Sequence, residues 1–549
     1  SMLIYNCSFG NNVSGYEGDA LSCAGTKIYN CTIVYNGTQD GECVIKANWN
    51  TKIESSIIWH NENPQIFNNN TPISVDYSII YGGQSSFSDQ GNLNWGTGNI
   101  TSDPLFTGSG GFESQSPAIN AGNPNGFYND SDGTRENIGY SGDGAHRILV
   151  TPTNFDFGNS GVGDALSKDW MIYNFGANEL IIDSYSSSDN QFTIPTPSFP
   201  YTIDPFDNTG SGNLQVQFIS TSTGQQSASI QIAFSNLSNN NGTLSASGTA
   251  YNVPTGDINV PADAPTIQTA IDIAPYGKTI VVAPGEYFEN IIAKSDISLT
   301  SSGGPAVTII NGNNEGVVID APNSNNIELN GFTITGGNGS TSNEFSAIKF
   351  NYSQYSILKN LIISGNIEGY PVTVTTAGTI VENVVIVNNS GGLAQGAGLQ
   401  IVSIDSDESE VLINNVTIAN NEFLKGIDIY QQPWVDFSVK LLNTIVWGNL
   451  LSIETVNVNQ QSLFVYNSLI EGGEDEISDP SGTLSVTWGD GNIDSYPYFN
   501  DPDNGDYSLS SYSPMIGAGT MSVTIDGVTY EAPDTDILGI DRPSPSGTS

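Results

Sequence analysis

Basic residues, histidine and cysteine are scarce in this chain of 549 residues. It has 13 Lys and Arg residues against 57 Asp and Glu residues, which gives a formal net charge of −44 and a pI near 4.1. Binding to nucleic acid requires a basic face that neutralises phosphates, so nucleic acid is excluded as a partner. The same charge disfavours anionic polysaccharides as ligands. The two histidines, His60 and His146, are isolated and show no metal-ligand spacing.

The four cysteines all lie within the first 43 residues, and no apolar run is long enough to cross a membrane. Cys7 and Cys31 occupy equivalent places in two adjacent repeats, so we expect them to stack inside the fold. At that spacing they form either a disulfide or a pair of buried free thiols. A hydrophobic content of 37% and an aromatic content of 10% exclude disorder as the explanation of the acidity.

One seven-residue pattern dominates the second half of the chain. Each copy has an Asn, a run of β-branched or apolar residues, and then Gly or Asn six positions on; the copies begin at Asn330, Asn360, Asn383, Asn415, Asn443 and Asn467. One strand per repeat, closed each time by a turn residue, is typical of a solenoid. Stacked in register, these strands predict a parallel β-helix with rungs about 4.8 Å apart. The leading asparagines would then share one corner and form an amide ladder.

The same pattern recurs over residues 3–83, which predicts another β-helix that is entered in the middle of its sequence. The tails of the two stretches also correspond: Trp59 with Trp447, Trp95 with Trp488, and Ser116-Pro-Ala-Ile119 with Ser513-Pro-Met-Ile516. This internal duplication indicates that the four tryptophans pack beneath C-terminal caps. Because the chain begins directly on a strand after Ser1 and Met2, we expect a fragment of a longer protein.

Residues 148–252 lack the pattern and show alternating strands instead. About seven short strands over such a length fit an immunoglobulin-like β-sandwich. We therefore predict three domains: residues 1–147 as the C-terminal part of a first β-helix with its cap, residues 148–252 as the sandwich, and residues 253–549 as a second β-helix.

Each end of the second β-helix has a predicted cap. Residues 264–274 place Ile267, Ala270, Ile271 and Ala274 on one face of a short helix that should plug the N-terminal end. Residues 522–542 should wrap over the other end.

The paired tails, together with residues 130–139, resemble the right-handed parallel β-helix proteins of the pectate-lyase-like superfamily, in particular large secreted bacterial surface proteins. Phe157-Gly158, Asn174-Phe-Gly176 and Ser247–Ala250 resemble Hydin-type (ASH) immunoglobulin-like domains. These resemblances imply an all-β chain with two right-handed parallel β-helix solenoids separated by an immunoglobulin-like sandwich. They also imply a secreted protein of the bacterial cell surface, in which the sandwich serves as a spacer.

Acidic residues provide the candidate metal ligands. Asp130 and Asp132, followed by Gly133, resemble the start of a calcium loop, although the remaining EF-hand spacing is missing and a tight turn with Arg135 is the alternative. Asp405 and Asp407 lie in the longest interval between repeats, where a solvated acidic loop is the alternative. Calcium in a structural role is the cofactor that the sequence favours.

Trp434, with Tyr430 and Gln431 beside it, is the best candidate for a platform on which a sugar could stack, and core packing is the alternative. No catalytic residue is evident. The outward positions of the repeated pattern are Thr, Val, Ile and Ser, with no stacked Asp pair, and Lys359 and Glu382 are expected to be a surface ion pair.

The sequence therefore favours a non-catalytic, monomeric extracellular module for adhesion or glycan binding. The alternative is a polysaccharide lyase or glycoside hydrolase, which would require a groove lined by at least two close carboxylates, or by carboxylates and a base.

Overall fold

The structure is a computed structural model, and it describes residues 2–14, 20–38, 44–48, 50–61, 66–68, 71–107, 111–130, 134–140, 148–175, 178–205, 210–235, 241–341, 345–374, 378–390, 396–403, 409–422, 425–431, 437–449, 452–456, 461–480, 482 and 484–542. The chain forms two compact units, Ser1–Ala250 and Tyr251–Ser549. Within the part described, no helix has both the length and the apolar character needed to cross a membrane.

The first unit begins with a solenoid of parallel strands. One sheet contains Leu3–Tyr5, Lys27–Tyr29, Thr51–Glu54, Ile73–Asp76 and Leu93–Trp95; a second contains Ser8–Gly10, Thr32–Val34, Ile57–Trp59 and Ile79–Ile80; a third contains Leu21–Ala24, Ile45–Asn48 and Ile66–Asn68; Val13–Ser14 pairs with Gly37–Thr38. Short 3-10 helices follow at Gly83–Ser86 and Gly126–Tyr128. Successive rungs stack like on like, because the alternating pattern sends Ile28, Ile53 and Val75 into one buried column.

The first unit also contains an antiparallel sandwich. One sheet is built from Ile148–Thr151, Ala165–Asn174, Phe192–Thr193 and Ser211–Ile219; the other is built from Asn154–Gly161, Leu180–Ser187, Tyr201–Ile203, Gly224–Phe234 and Gly242–Tyr251. The expected sandwich is confirmed, but it has nine strands rather than about seven. Two of the additional strands, Phe192–Thr193 and Tyr201–Ile203, are too short to show an alternating pattern.

The second unit is a longer solenoid. Its larger sheet contains Ile258–Val260, Lys278–Val282, Gly285–Phe288, Ile297–Ser301, Thr308–Asn311, Ile327–Asn330, Thr333–Thr335, Ile357–Ile363, Thr379–Val387, Ser409–Asn414, Thr417–Ala419, Phe437–Leu442, Ile445–Trp447, Gln461–Tyr466, Leu469–Ile470 and Leu484–Trp488. Its smaller sheet contains Ile291–Ile292, Ile319–Pro322, Phe345–Asn351, Tyr370–Val374, Ala397–Ser403, Lys425–Gln431, Ile453–Val456 and Ile477–Ser478. We call the smaller one the eight-stranded sheet.

A single helix, Ile267–Ile273, covers the N-terminal end of the second solenoid as predicted. Its buried residues Ile267 and Ile271 join the solenoid core, while both oxygens of the Glu289 carboxylate accept backbone N–H groups of its first turn at 2.9 Å. The helix therefore shields core side chains that the first rung would otherwise expose.

The C-terminal segment differs from the expectation. It contains two hairpins, Phe499–Asp501 with Asp506–Leu509 and Ser522–Ile525 with Val528–Glu531, and a 3-10 helix at Pro502–Asn504. Two other 3-10 helices of the second unit, Gly339–Thr341 and Gly473–Glu476, lie earlier in the chain. Instead of wrapping over the end, residues 518–542 run back along one side of the solenoid. Carbonyls of Ala518, Thr520 and Thr535 accept hydrogen bonds from asparagine side chains of successively earlier rungs. Hydrogen bonds from the ladder amides therefore hold this segment against the side of the solenoid.

Two asparagine ladders support the rungs. The leading asparagines form the predicted ladder, with Asn360 donating to Asn330 at 2.9 Å and Asn443 donating to Asn415 at 3.2 Å. From Asn360 onward these asparagines lie in the left-handed backbone region. The closing asparagines form a second ladder, buried at Asn366, Asn389 and Asn421 and half-buried at Asn449. Asn383 extends the leading ladder by donating to the Asn360 oxygen at 3.1 Å, and its own side-chain oxygen accepts a hydrogen bond from the Arg542 guanidinium at 2.7 Å.

The cysteine alternatives resolve in favour of free thiols. Cys7 and Cys31 stack as expected, but each donates its thiol to a nearby carbonyl, and the Cys7 backbone N–H donates to the Cys31 Sγ at 3.4 Å. Burial raises the pKa of Cys31 to about 12, which keeps this thiol protonated at neutral pH.

Candidate functional site

Six polar side chains line up across the outward face of the eight-stranded sheet, one on each of six consecutive strands. We call this set the polar row: Asp320, Lys349, Thr373, Gln400, Asp428 and Glu454. Each residue is flanked along its strand by buried residues, which are apolar except for Thr455 beside Glu454; Asp428, for example, lies between Ile427 and Ile429. The two-residue period of a strand therefore directs the whole row outward.

The row is connected by hydrogen bonds and ion pairs. Thr373 donates to the Gln400 Oε1 at 3.2 Å, and Gln400 in turn hydrogen-bonds to Asp428. Lys425 contacts the Asp428 Oδ1 at 3.3 Å and also pairs with the Glu454 Oε2. Two carboxylates on adjacent rungs thus share one ammonium group.

Burial sets the electrostatics of this cluster. The side chains of Lys425 and Asp428 are only 14% and 8% exposed, and Glu454 is 19% exposed. Burial raises the pKa of Asp428, and Lys425 only partly offsets this. Burial acts to lower the pKa of Lys425, but hydrogen bonds and charges from Glu454 and Asp428 outweigh it and raise the pKa. Lys425 is therefore held as a cation and does not supply a neutral amine base near neutral pH.

Aromatic side chains flank the polar row. Tyr430 lies two residues beyond Asp428 on the same face and is 42% exposed. Toward the strand starts, the rings of Phe345 and Tyr370 lie 6.2 Å apart, and the Lys349 ammonium lies 4.8 Å from the Phe345 ring centre. The face therefore combines hydrogen-bonding groups with exposed ring surface, which suits a polar ligand that has apolar faces.

Only part of the predicted sugar platform can be located. Tyr430 is exposed on the sheet face as just described, and Gln431 is the last residue of its strand, paired with Ser403. Trp434 lies outside the described residues. The sequence interpretation did not include Asp428, Glu454 and Lys425, which the fold brings beside Tyr430.

The expectation that outward strand positions carry only Thr, Val, Ile and Ser is wrong for this sheet. It came from the Asn-led pattern, which belongs to the larger sheet. A second pattern, apolar–polar–apolar, marks the eight-stranded sheet in Val372–Val374, Leu399–Ile401 and Ile427–Ile429. That signal was available in the sequence and would have revealed the stacked Asp428 and Glu454.

Asp130 is the only predicted metal ligand among the described residues; Asp132, Asp405 and Asp407 lie outside them. Asp130 is buried in the first unit, where its Oδ2 accepts a hydrogen bond from the Asn137 side chain at 2.9 Å and its backbone N–H donates to Thr134. Arg135 donates to the carbonyls of Gly122 and Ala121. In the parts of the chain that are described, no group of three or more His, Cys, Asp or Glu side chains is placed to hold a metal.

The expected ion pair is confirmed: Lys359 and Glu382 are paired on neighbouring strands, with the Nζ and Oε1 atoms 2.8 Å apart. The expectation that four tryptophans pack beneath caps holds for Trp59, which is buried with Ala118 and Ile138. Trp447 packs against Tyr496 with ring centres 5.7 Å apart, whereas Trp95 and Trp488 pack against the cores of their solenoids.

Comparison with known proteins identifies one segment. Residues 147–249 match the family described as HYDIN/CFA65/VesB-like, Ig-like domain, which confirms the predicted Hydin-type sandwich. The match covers the sandwich and neither solenoid. No curated protein matches the chain.

Three solved structures illustrate the similarities. The ASH / PapD-like domain of human CEP192 is 13% identical, covering 20% of this chain and 87% of its own, with a TM-score of 0.16. The Vibrio cholerae VesB protease is 15% identical over 19% of this chain and 32% of its own, with a TM-score of 0.16. Pectate lyase Pel9A is 14% identical over 52% of this chain and 96% of its own, with a TM-score of 0.31. Residues 147–249 are therefore similar to the HYDIN/CFA65/VesB-like, Ig-like domain family, and the strand pairing shows parallel β-solenoids in both units.

Proposed function

We propose that this protein is a non-catalytic extracellular module that binds a glycan along the outward face of the eight-stranded sheet. The observation that carries the proposal is the polar row with Tyr430 at one end of its strands and Tyr370 at the other. A sugar presents hydroxyl groups around its edge and apolar C–H groups on its faces, so a row of donors and acceptors beside exposed rings complements it.

The extracellular placement is supported by the composition, with few basic residues and 60 glycines, and by the resemblance of both tails to secreted surface proteins. The sandwich would then act as a spacer. A net charge of −44 makes a neutral glycan a better ligand than an anionic one.

The test is retardation of the full chain in native gels that contain single polysaccharides. Tyr430→Ala and Glu454→Gln should each weaken the retardation. Tyr512→Ala, which removes a tyrosine that is 84% exposed elsewhere in the same unit, should leave it unchanged. Equal retardation of all four proteins would contradict binding at this face.

The stacked carboxylates also support a second candidate function, glycoside hydrolysis. Asp428 and Glu454 are Cα partners on adjacent rungs, and the raised pKa of Asp428 is in the direction required of a general acid. The protonated Lys425 argues against a lyase that uses this lysine as its base.

Release of reducing ends from polysaccharides by the purified chain decides between the two functions. If hydrolysis occurs here, Asp428→Asn and Glu454→Gln abolish it, whereas Glu382→Gln, in the matched ion pair on the larger sheet, does not. If the purified chain releases no reducing ends, the binding module is the remaining function.

A further inference from the structure

The first solenoid carries a cluster of aromatic side chains, of which only Trp59 has a role in the predicted fold. We call it the aromatic ridge, and it consists of Tyr35, Trp59, His60 and Tyr81. Ring centres are 5.8 Å apart for Tyr35 and His60, 5.2 Å for His60 and Tyr81, and 5.0 Å for Trp59 and Tyr81. The four residues come from three consecutive rungs, so the ridge runs along the solenoid axis.

The ridge has a buried base and an exposed crest. Trp59 is 5% exposed and joins the core beneath the cap, whereas Tyr35 is 53% exposed and Tyr81 is 39% exposed. His60 is also exposed and contacts the Trp59 ring, with centres 5.6 Å apart. Trp59 thus supports the rings of His60 and Tyr81, and His60 in turn contacts Tyr35, while all three crest residues stay exposed to solvent.

The internal duplication keeps the tryptophan at the base, as Trp447, but shows that the fold does not require the three rings of the crest. The second solenoid has Asn420 and Gly448 at the places of Tyr35 and His60, and Glu471 at the place of Tyr81. Both solenoids nevertheless retain the same strand register and the buried closing asparagine at these rungs. The aromatic residues therefore serve something other than the rung itself.

The backbone conformation at Tyr35 and His60 disfavours bulky side chains. Tyr35 has a φ of 55° and His60 a φ of 48°, in the left-handed region where Asn and Gly are the favourable residues. A bulky side chain in this conformation costs stability, and such strain is concentrated at functional sites. The second solenoid avoids the cost with Asn420 and Gly448, whose φ values are 52° and 68°.

We propose that the aromatic ridge is a binding surface for an extended, neutral polysaccharide. Rings repeated at the rung spacing of about 4.8 Å can meet successive sugar units of one chain, because extended hexose polymers advance by a similar distance per residue. A line of exposed rings suits a polymer lying along it rather than a small molecule in a pocket. The charge of −44 excludes the phosphate- and uronate-rich polymers as favourable partners. This surface lies in the first unit, and its binding is independent of the function proposed for the eight-stranded sheet.

The test uses, at Tyr35 and His60, the replacements that the second solenoid already makes, and alanine at Tyr81. A variant of the full chain carrying Tyr35→Asn, His60→Gly and Tyr81→Ala is compared with wild type in native gels containing soluble β-glucan, xyloglucan or glucomannan, with polygalacturonate as the anionic comparison. We expect at least one neutral polymer to retard wild type, and the triple variant to bind that polymer about tenfold more weakly or worse. Tyr512→Ala serves as the exposed-tyrosine control, and Tyr430→Ala reports on the other surface.

The outcomes separate the two binding surfaces. Loss of retardation in the ridge variant but not in Tyr430→Ala supports the ridge, and the opposite result overturns it. Retardation of wild type by polygalacturonate alone, or by no polymer, also overturns it. Tyr35→Asn alone should bind more weakly while its thermal midpoint stays equal or rises, because Asn suits the left-handed backbone; a lowered midpoint would assign Tyr35 a purely structural role.

Discussion

The two solenoids use the same rung and place different chemistry on its surface. The side chains of Asn36 in the first and Asn389 in the second make the same five hydrogen bonds. Two come from the backbone and side-chain amide of the asparagine on the preceding rung, one goes to the side-chain oxygen of the asparagine on the next rung, and two go to strand carbonyls. The interior of the rung is therefore constrained, because the asparagine side chain satisfies backbone groups at the corner that would otherwise lack partners.

The outward positions show no such constraint. On the third sheet of the first solenoid, the outward residues are Ser22, Lys46 and Phe67, whereas the eight-stranded sheet of the second solenoid carries the ion-paired Asp428 and Glu454. Next to the closing asparagines, the first solenoid carries the aromatic rings of Tyr35 and His60, and the second solenoid has Asn420 and Gly448 at the same places. Surface chemistry can therefore change from one copy to the other without changing the fold.

The strongest test of the shared interior is Asn389→Ala. It removes five buried hydrogen bonds and leaves several partners unsatisfied, so we expect a loss of about 4 kcal/mol in the free energy of unfolding. Neither Asn389 nor Asn36 has a positive φ, so alanine fits the backbone at both positions. Urea denaturation of Asn389→Ala and Asn36→Ala should show losses of similar size. A loss confined to one variant would show that the two ladders are not equivalent.

The second test concerns the surface on which the solenoids differ. Lys425→Met leaves the buried Asp428 without its cation, and we expect a loss of about 3 kcal/mol. Lys359→Met breaks a more exposed pair, in which the lysine side chain is 37% exposed, and should cost about 0.5 kcal/mol. Urea midpoints of the two variants provide the comparison. Equal midpoints would mean that the Lys425 cluster behaves as an ordinary surface ion pair.

The leading ladder allows a more selective test at Asn415, which accepts a hydrogen bond from Asn443. Asn415→Ala should cost about 2 kcal/mol, because it removes this acceptor and places alanine at a φ of 56°. Asn415→Gly also removes the acceptor but tolerates the backbone, so it should cost less. Urea denaturation measures both. An unchanged midpoint in Asn415→Ala would contradict a stabilising role for the leading ladder.

The caps of the two solenoids should respond differently to pH. Burial raises the pKa of Glu136, in the first cap, well above its usual range, although Ser55 and the backbone of Asn123 donate to it. The folded state therefore keeps a proton that the unfolded state releases, and the free energy of unfolding falls as pH rises from the ordinary glutamate pKa of about 4.3 towards the raised value.

This slope cannot exceed about 1.4 kcal/mol per pH unit for one proton. Urea midpoints across this pH range should decrease more steeply for wild type than for Glu136→Gln. In the second solenoid, the Arg542 guanidinium lies against the leading ladder, and its charge does not change in this pH range, so we expect no corresponding slope from it. Parallel pH profiles for wild type and Glu136→Gln would show that Glu136 holds no extra proton when folded.

Calcium binding at Asp130 remains a prediction with the smallest expected effect. A chain of charge −44 repels itself, so a divalent ion that binds only the folded state should stabilise it, by about 1 kcal/mol at a few times the Kd. Thermal unfolding of wild type and Asp130→Asn in calcium and in chelator is the measurement. Equal midpoints for wild type in both buffers would reduce the loop to a hydrogen-bonded turn.

The sequence by itself determined the repeat, the sandwich and the helix that plugs the second solenoid. Asn, Gly and β-branched residues have local conformational preferences, and a repeat of such preferences specifies a rung without long-range information. The leading asparagine ladder could be predicted for the same reason, since identical residues in identical rungs must stack.

Only the tertiary structure decided which distant residues became neighbours on the surface. Lys425, Asp428 and Glu454 meet because rung stacking places residue 454 over residue 428, and Tyr35, His60 and Tyr81 meet in the same way. The path of residues 518–542 also depends on the tertiary structure, because its carbonyls accept hydrogen bonds from asparagine side chains that only the stacked rungs bring into one line. The intervals between rungs vary in length, and a one-residue change of register would turn each of these side chains to the other face.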